Sequence, residues 1–265
     1  MAYIALSIAG SDSGGGAGIQ ADLKSFSALG VYGASVITAV TAQNTKTVYA
    51  VHVIPTAMVE AQIKTVLEDL DVKAIKIGML ATSEIIVAVA QSLATFKGKI
   101  VLDPVMVAKS GDALLDESAV SALLQHLVPR ATLLTPNLPE AAKLLGVSPA
   151  TSLAEMLAQG QALCSKGAAA VLMKGGHGQG ETCVDLLVTP QKHWRFEAPR
   201  LATGNTHGTG CSLSSAITAE LAKGKPLPEA VARAHGWLHE AIKQADGLKV
   251  GHGHGPVHHF HEWWP

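Results

Sequence analysis

The segment Gly204-Asn205-Thr206-His207-Gly208-Thr209-Gly210-Cys211-Ser212 carries the densest chemistry in the chain. It is a glycine-rich turn that runs straight into an apolar, small-residue helix. Such a turn points several backbone N–H groups at one place, and the helix dipole adds positive potential there, so a bound anion is favoured. At the tip sits a thiol, Cys211. Cysteine at a helix N-terminus is expected to have a lowered pKa, which would set a thiolate base or nucleophile beside a phosphate cradle.

Other segments add charge and hydrogen-bonding groups. Asp103-Pro104-Val105-Met106 follows a strand-like run and places a carboxylate at its rim. Asn137-Leu138-Pro139-Glu140 puts an amide and a carboxylate at the start of a helix, where Glu140 alone would be an ordinary first-turn acid. Together, Asp103 and the Asn137/Glu140 pair would offer hard oxygen ligands, direct or through water, to a Mg²⁺ bridging nucleotide phosphates. Lys174, in Lys174-Gly175-Gly176-His177-Gly178, supplies an ammonium at a strand end, placed for a phosphate contact rather than for plain solvation. The turn Gly10 to Gly18 holds four glycines within five positions, more than a connection needs, and so reads as a close approach to a ligand. Gln43-Asn44 offers donors and acceptors to the edge of a nitrogen heterocycle, or else is a turn asparagine with an exposed neighbour; spacing does not choose. Neither a P-loop nor a GxGxxG turn after a strand is present, so phosphate binding must use another arrangement.

The elements that must position these groups follow from periodicity. Strands are predicted at Tyr3–Ala9, Ala34–Thr41, Lys46–Ile54, Ala74–Ile77, Ile100–Leu102, Thr132–Leu134 and Ala169–Met173, with a hairpin around Pro190 between Thr182 and Phe196. Helices are predicted at Ile19–Leu29, from Pro55 through Leu67, and at Ser83–Ala94, Glu117–Leu127, Pro139–Leu145 and Leu153–Ser165, with two more starting at Thr209 and Leu227. Strands separated by helices imply a mostly parallel sheet covered on both faces, with ligands at the carboxyl ends of the strands. The loops Gly10–Gly18, Gln43–Thr45, Gly78–Leu80, Asp103–Gly111, Thr135–Glu140 and Lys174–Gly180 are then the ones to watch.

The 265 residues, with no linker or internal repeat, are read as one domain, 1–265. Hydrophobic residues make up 48% and charged ones 15%, which suits close-packed helices on a buried sheet. A net charge of −1 steers the chain to neither nucleic acid nor anionic membrane, and no apolar run is long enough to span a bilayer. The start, MAYIALSIAGSD, reads as a first strand rather than a leader. Three cysteines, Cys164, Cys183 and Cys211, lack zinc spacing and fit a reducing, cytoplasmic compartment. Five of the twelve histidines lie in Gly251–Pro265, a tract with metal-like spacing that Pro256, Phe260, Trp263 and Trp264 mark instead as a packed terminal segment.

These pieces in this order resemble the ribokinase superfamily, and within it the hydroxymethylpyrimidine/phosphomethylpyrimidine kinases of thiamine biosynthesis. The resemblance is carried by Ala9-Gly10-Ser11-Asp12, Gly15 to Lys24, Ala42-Gln43-Asn44-Thr45, Lys76-Ile77-Gly78-Met79-Leu80, Asp103 to Met106, Thr135 to Glu140, Gly208 to Cys211, and the terminal Gly251 to Gly255 and Trp263-Trp264. It covers essentially the whole chain and implies a three-layer α/β/α fold with a central, mostly parallel sheet. It implies two ATP- and Mg²⁺-dependent steps: 4-amino-5-hydroxymethyl-2-methylpyrimidine to its monophosphate, then to the diphosphate. By motif, Gln43 would bind the pyrimidine edge, Gly10, Met79 and Val105 would line its pocket, and Asp22 would neighbour it. Asn137, Lys174 and Asp103 would meet the nucleotide, Glu140 and Asp103 the magnesium, and Gly208, Thr209, Gly210 and Cys211 would form the anion hole. A homodimer is implied as well, with Lys46–Ile54 acting as a cover or subunit contact.

Sugar kinases of this fold usually carry an aspartate base where this chain has Cys211. A loose phosphoryl-transfer transition state makes little demand on a base. The second acceptor is a phosphate monoester, already largely ionised because its second pKa is about 6, and a permanent carboxylate would repel it. A thiol suits both steps. The rival readings are a pyridoxal/pyridoxine kinase and a non-catalytic pyrimidine-binding sensor; the latter leaves Asp103, Glu140, Lys174 and Cys211 without a purpose.

Overall fold

The computed structural model describes residues 2–106, 117–176 and 180–264. The parts of the expected loops that fall on 107–111 and 177–179, His177 and Gly178 among them, lie outside the described residues.

The strands β1 (Ile4–Asp12), β2 (Tyr32–Gln43), β3 (Val48–Val53), β4 (Ala74–Ile77), β5 (Lys99–Leu102), β6 (Leu133–Leu134), β7 (Val171–Met173), β8 (Thr182–Val188) and β9 (His193–Pro199) form one sheet. Its order is β3-β2-β1-β4-β5-β6-β7-β8-β9. From β2 to β7 every pairing is parallel, while β3, β8 and β9 join antiparallel to their neighbours. The fold is the ribokinase-like three-layer α/β/α sandwich.

Alternation along the strands sends residues to two cores. Leu6, Ile8, Ile75 and Ile77 join the core on one face, beneath α2 (Thr56–Asp69), α3 (Ser83–Ser92), α4 (Glu117–Ala122), α5 (Leu138–Leu145) and α6 (Leu153–Ser165). Ala5, Ala74, Val101 and Leu133 join the other, beneath α1 (Gly18–Ala28), α7 (Thr209–Ala222) and α8 (Leu227–Lys243). Helix α7 is buried throughout Ser212–Ala222, and its run of Ser, Ala and Thr lets the backbone lie close to the sheet. Because β1 lies between β2 and β4, the connections leave it in opposite directions, which opens a crevice at the carboxyl ends of the strands.

Several boundaries differ from expectation. β1 and β2 run on to Asp12 and Gln43 because their ladder continues past an irregularity at Ala9/Ser11, so the first glycine turn begins later than predicted. The helix expected over Glu117–Leu127 changes at Leu123 into a π-helical turn, Leu123–Leu127. A short helix, α9 (Ala245–Leu248), carries no apolar period long enough to be seen in sequence.

The histidine-rich tail packs in part: residues 255–259 are buried, while 251–254, Trp263 and Trp264 are exposed. His258 and His259 are buried, Trp237 stands 5.8 Å from His261 ring to ring, and Phe260 stacks on Trp264 at 4.9 Å.

Candidate active site

A cavity of about 940 Å³ opens at the carboxyl ends of β1, β2, β4 and β5 and continues toward β7 and β8. Gly10, Gln43, Met79, Val105, Asp103, Asn137, Glu140, Lys174 and Gly208 to Cys211 all line it. Residues distant in sequence are thus brought together; Asp22 is not among them.

On the β1–β2 side the walls are tightly set. A Cβ on Gly10 would lie 2.6 Å from Met79 Cε, so glycine there makes room for the methionine, whose carbonyl accepts from Thr38 Oγ1 at 2.7 Å. The Gln43 backbone N–H donates to Ser13 Oγ at 2.8 Å, and its side-chain oxygen accepts from Thr41 Oγ1 at 3.2 Å. Asn44 takes the turn role, its Oδ1 accepting from the backbone N–H of Lys46 and Thr47. Gln43 faces the cavity.

Asp12 organises the first glycine turn. Its carboxylate accepts from the backbone N–H of Gly14, Gly16 and Ala17 and lies 2.8 Å from His207 Nε2. Burial works against the charge, yet the bonds from His207 and the backbone hold Asp12 below its ordinary range. Asp12 and His207 both line the cavity, and the sequence reading assigned neither a role. The signal for Asp12 was present: a carboxylate preceding Ser-Gly-Gly-Gly-Ala-Gly faces a row of N–H groups that need an acceptor.

Gly208 precedes helix α7 as its N-cap, in the left-handed region at φ 76°, and no side chain caps the helix. A Cβ on Gly208 would run into the Gly16 carbonyl, so the two glycine turns touch and the helix N-terminus faces the cavity. Lys174 overhangs that N-terminus: a Cβ on Gly210 would lie 3.3 Å from Lys174 Nζ. Burial opposes the lysine's charge, but Asp103 and Glu140 raise its pKa well above the ordinary value. Lys174 stays an ammonium beside an empty-sided glycine, an arrangement suited to a transferring phosphoryl group.

Asp103 is held by three donors at the cavity. Its Oδ1 accepts from Lys174 at 2.9 Å and Thr135 Oγ1 at 3.0 Å, and its Oδ2 from Ser214 Oγ at 3.3 Å. Both oxygens accept hydrogen bonds, and Asp103 is the ion-pair partner of Lys174. Asn137 and Glu140 form a capping box: Asn137 Oδ1 accepts from Glu140 N–H at 2.8 Å, and Glu140 Oε2 from Asn137 N–H at 2.7 Å. Burial pushes Glu140 up to about 7, with Asp103 adding to the rise and Lys174 and backbone N–H groups opposing it. Among the described residues, no group of three His, Cys, Asp or Glu gathers to cage a metal. That donor set fits a Mg²⁺ held mainly by phosphate oxygens and water, with Glu140 at its edge.

The expectation of a lowered Cys211 pKa is overturned. Burial pushes the thiol up to about 11, and the carboxylates of Asp22 and Asp103 add to this; Lys76 and the Gly18 N–H favour the thiolate but do not prevail. A helix N-terminus lowers a thiol pKa when the site is wet, and here desolvation is larger.

Asp22 neighbours the cavity without lining it. It is fully buried beneath the cavity, paired with Lys76 Nζ at 2.8 Å and bonded by Ser7 Oγ at 2.6 Å and Ser215 Oγ at 2.7 Å. The parallel register sets Ser7 beside Lys76, on the same face as α1 and α7, and that neighbourhood assembles the cluster. Lys76, unassigned from sequence, lines the cavity floor.

The family described as phosphomethylpyrimidine kinase matches residues 12–258. The chain belongs to that family. A hydroxymethylpyrimidine/phosphomethylpyrimidine kinase of Rhizobium meliloti (strain 1021) is 58% identical over 264 residues, covering 100% of this chain and 99% of the relative. Among solved structures, phosphomethylpyrimidine kinase from Clostridium difficile 630 is 44% identical, with a TM-score of 0.81, and covers 91% of this kinase and 99% of its own chain. Pyridoxal kinase from Staphylococcus aureus in complex with ADP is 35% identical, with a TM-score of 0.91, covering 99% of this kinase and 95% of that chain. The shape is shared with pyridoxal kinases, while sequence identity is higher to the pyrimidine kinases. This kinase is an enzyme, and the reading as a non-catalytic sensor is set aside.

Proposed function

We propose that this single-domain kinase transfers the γ-phosphoryl group of ATP first to the hydroxymethyl oxygen of 4-amino-5-hydroxymethyl-2-methylpyrimidine and then to the resulting monophosphate, in thiamine biosynthesis. One observation carries the reading: a single cavity holds Gln43, Met79 and Val105 together with Lys174, Gly210 and Cys211 at an uncapped helix N-terminus. The Gln43 amide would read the ring edge, and the methionine and valine would pack on its faces. Thr209, Gly210 and Cys211 would present backbone N–H groups to the phosphoryl oxygens, and Lys174 would neutralise charge developing there. Glu140, with Asn137 beside it, would hold magnesium through water; the ion's contribution is to screen the nucleotide phosphates.

Cys211 rests as the thiol. In the first step its minor thiolate form, the thiol proton having gone to solvent, would accept the hydroxyl proton late in a transfer that needs little base assistance. The second acceptor is already ionised and needs none.

Incubation with ATP, Mg²⁺ and the pyrimidine, followed by mass analysis, should show one phosphate and then two. Addition of one phosphate only would reject the second step. Pyridoxal is the competing acceptor, because the matching pyridoxal kinase superimposes over nearly the whole chain. A higher kcat/KM on pyridoxal than on the pyrimidine would transfer the assignment to vitamin B6 salvage.

The unit in solution is proposed to be a homodimer joined through β3, where Tyr49 is 76% exposed and Val51 and Val53 are exposed beside it. Sedimentation of Tyr49→Lys as a monomer, against a dimeric parent, tests this. A reducing, cytoplasmic setting suits the three free cysteines.

A further inference from the structure

The motif Gly251-His252-Gly253-His254-Gly255-Pro256 lies outside the kinase chemistry described above, yet it bonds to two of the loops that perform it. The Gly253 N–H donates to Thr45 Oγ1 at 3.1 Å and the His254 N–H to the Thr45 carbonyl at 2.9 Å. On its other side the Gly255 N–H donates to Asn205 Oδ1 at 2.9 Å, and the Gly255 carbonyl accepts from the His207 N–H at 3.0 Å. His254 Nδ1 lies 3.0 Å from the Gly204 carbonyl; a carbonyl can only accept, so that nitrogen carries the proton. His207 then reaches Asp12, and through it the first glycine turn.

The glycines are there for space. A Cβ on Gly253 would strike the Thr45 carbonyl, and one on Gly255 would strike the Asn205 side chain. Gly251 combines φ 73° with a Cβ position 2.5 Å from Thr45 Oγ1. The alternation of glycine and histidine, suggestive of a metal tract in sequence, is a backbone threaded between two loops. Downstream the chain is anchored: His258 N–H donates to the Ala241 carbonyl at 2.9 Å, and His259 Nε2 lies 2.9 Å from Ser212 Oγ. Since Ser212 Oγ donates to the Gly208 carbonyl at 2.8 Å, His259 Nε2 must be the donor of its pair.

We propose that Gly251–Pro256 is a positioning element for phosphoryl transfer: it ties the acceptor loop Gln43–Thr45 to the phosphate turn Gly204–Cys211 and so sets the separation of acceptor and phosphoryl group. It rests on the function proposed above. Transfer between two bound groups is sensitive to placement, a shift of about 1 Å costing on the order of 100-fold in rate. The segment touches neither group, so its effect falls on transfer and not on either affinity.

The test compares Gly253→Ala, Thr45→Val and Thr45→Ser with the parent. Single-turnover transfer to the pyrimidine should fall roughly 10- to 100-fold in Gly253→Ala, less in Thr45→Val, and stay near the parent rate in Thr45→Ser, which keeps the hydroxyl. Dissociation constants for pyrimidine and ADP should move less than about threefold, and hydrolysis of ATP by water should not fall. Amide exchange should quicken at 43–47 and at 204–211 together. Parent-like transfer in Gly253→Ala and Thr45→Val would overturn the proposal, as would transfer and ADP affinity falling in step. If Gly253→Ala does not fold, Thr45→Val carries the same comparison. Should the parent itself fail to phosphorylate the pyrimidine, the functional reading falls, while the exchange comparison still decides whether this segment couples the two loops.

Discussion

Lys174 Nζ meets Asp103 Oδ1 at 2.9 Å across an intervening strand. Asp103 follows β5 and Lys174 follows β7; β6 lies between them, and Thr135, just beyond β6, donates to the same aspartate oxygen. Three strand ends thus converge on one carboxylate. The ammonium is fixed before any substrate arrives, so little reorganisation is needed during transfer.

Lys174→Ala should lower both phosphorylation rates by about 10²- to 10³-fold, the size expected for a group acting on transition-state charge. Affinity for the pyrimidine, measured by calorimetry without nucleotide, should stay nearly unchanged. A large loss of pyrimidine binding would remove Lys174 from the phosphoryl end.

The raised thiol pKa of Cys211, about 11, gives its base role a pH signature. Below that value the thiolate fraction grows about tenfold per pH unit, so the first single-turnover rate should climb from pH 7 to 9. The second should stay flat, its acceptor being ionised above about pH 6. Cys211→Ala should flatten the first profile and slow that step much more than the second. Equal losses in both steps would exclude Cys211 as the base.

The Lys76–Asp22 pair is fully buried, so removing one partner strands the other. Lys76→Met should cost about 3–5 kcal/mol in urea unfolding. The double variant Lys76→Met/Asp22→Asn should recover part of that loss. A double-variant loss equal to the sum of the Lys76→Met and Asp22→Asn losses would mean the two charges are not coupled.

His259 is pushed down to about 3 by burial, with Lys24, His258 and His261 adding to the effect. Its ordinary value in an unfolded chain is about 6.5. Between these two values the unfolded state binds a proton that the folded state excludes, so stability falls as pH is lowered, by up to about 1.4 kcal/mol per pH unit from this residue. Above about pH 6.5 it contributes no slope. Urea unfolding of His259→Gln should therefore show a shallower loss than the parent from pH 6.5 to 5, and an unchanged slope would contradict the assignment.

Much of this kinase was legible in sequence, because the relevant physics is local. Apolar periodicity marked most strands and helices; the glycine turn ending at Gly208 declared an anion site; and Lys174 and Glu140 could be placed at the cavity from their positions just past predicted strands. Each inference used neighbours a few residues apart. What only the tertiary structure decided is the environment of those groups. Cys211 is surrounded by Gly18 and Asp22 of α1, Lys76 of β4 and Asp103 beyond β5, and burial among these three segments reverses the shift that the helix terminus alone would produce. Asp22 is buried against Lys76 beneath the pocket because the parallel register of β1 and β4 sets Ser7 and Lys76 side by side. The glycines of the tail acquire their reason from Thr45 and Asn205, which lie far from them in the chain. Residue type and spacing determine which chemistry is available; desolvation and charge, summed over contacts distant in sequence, decide which protonation states and partners are realised.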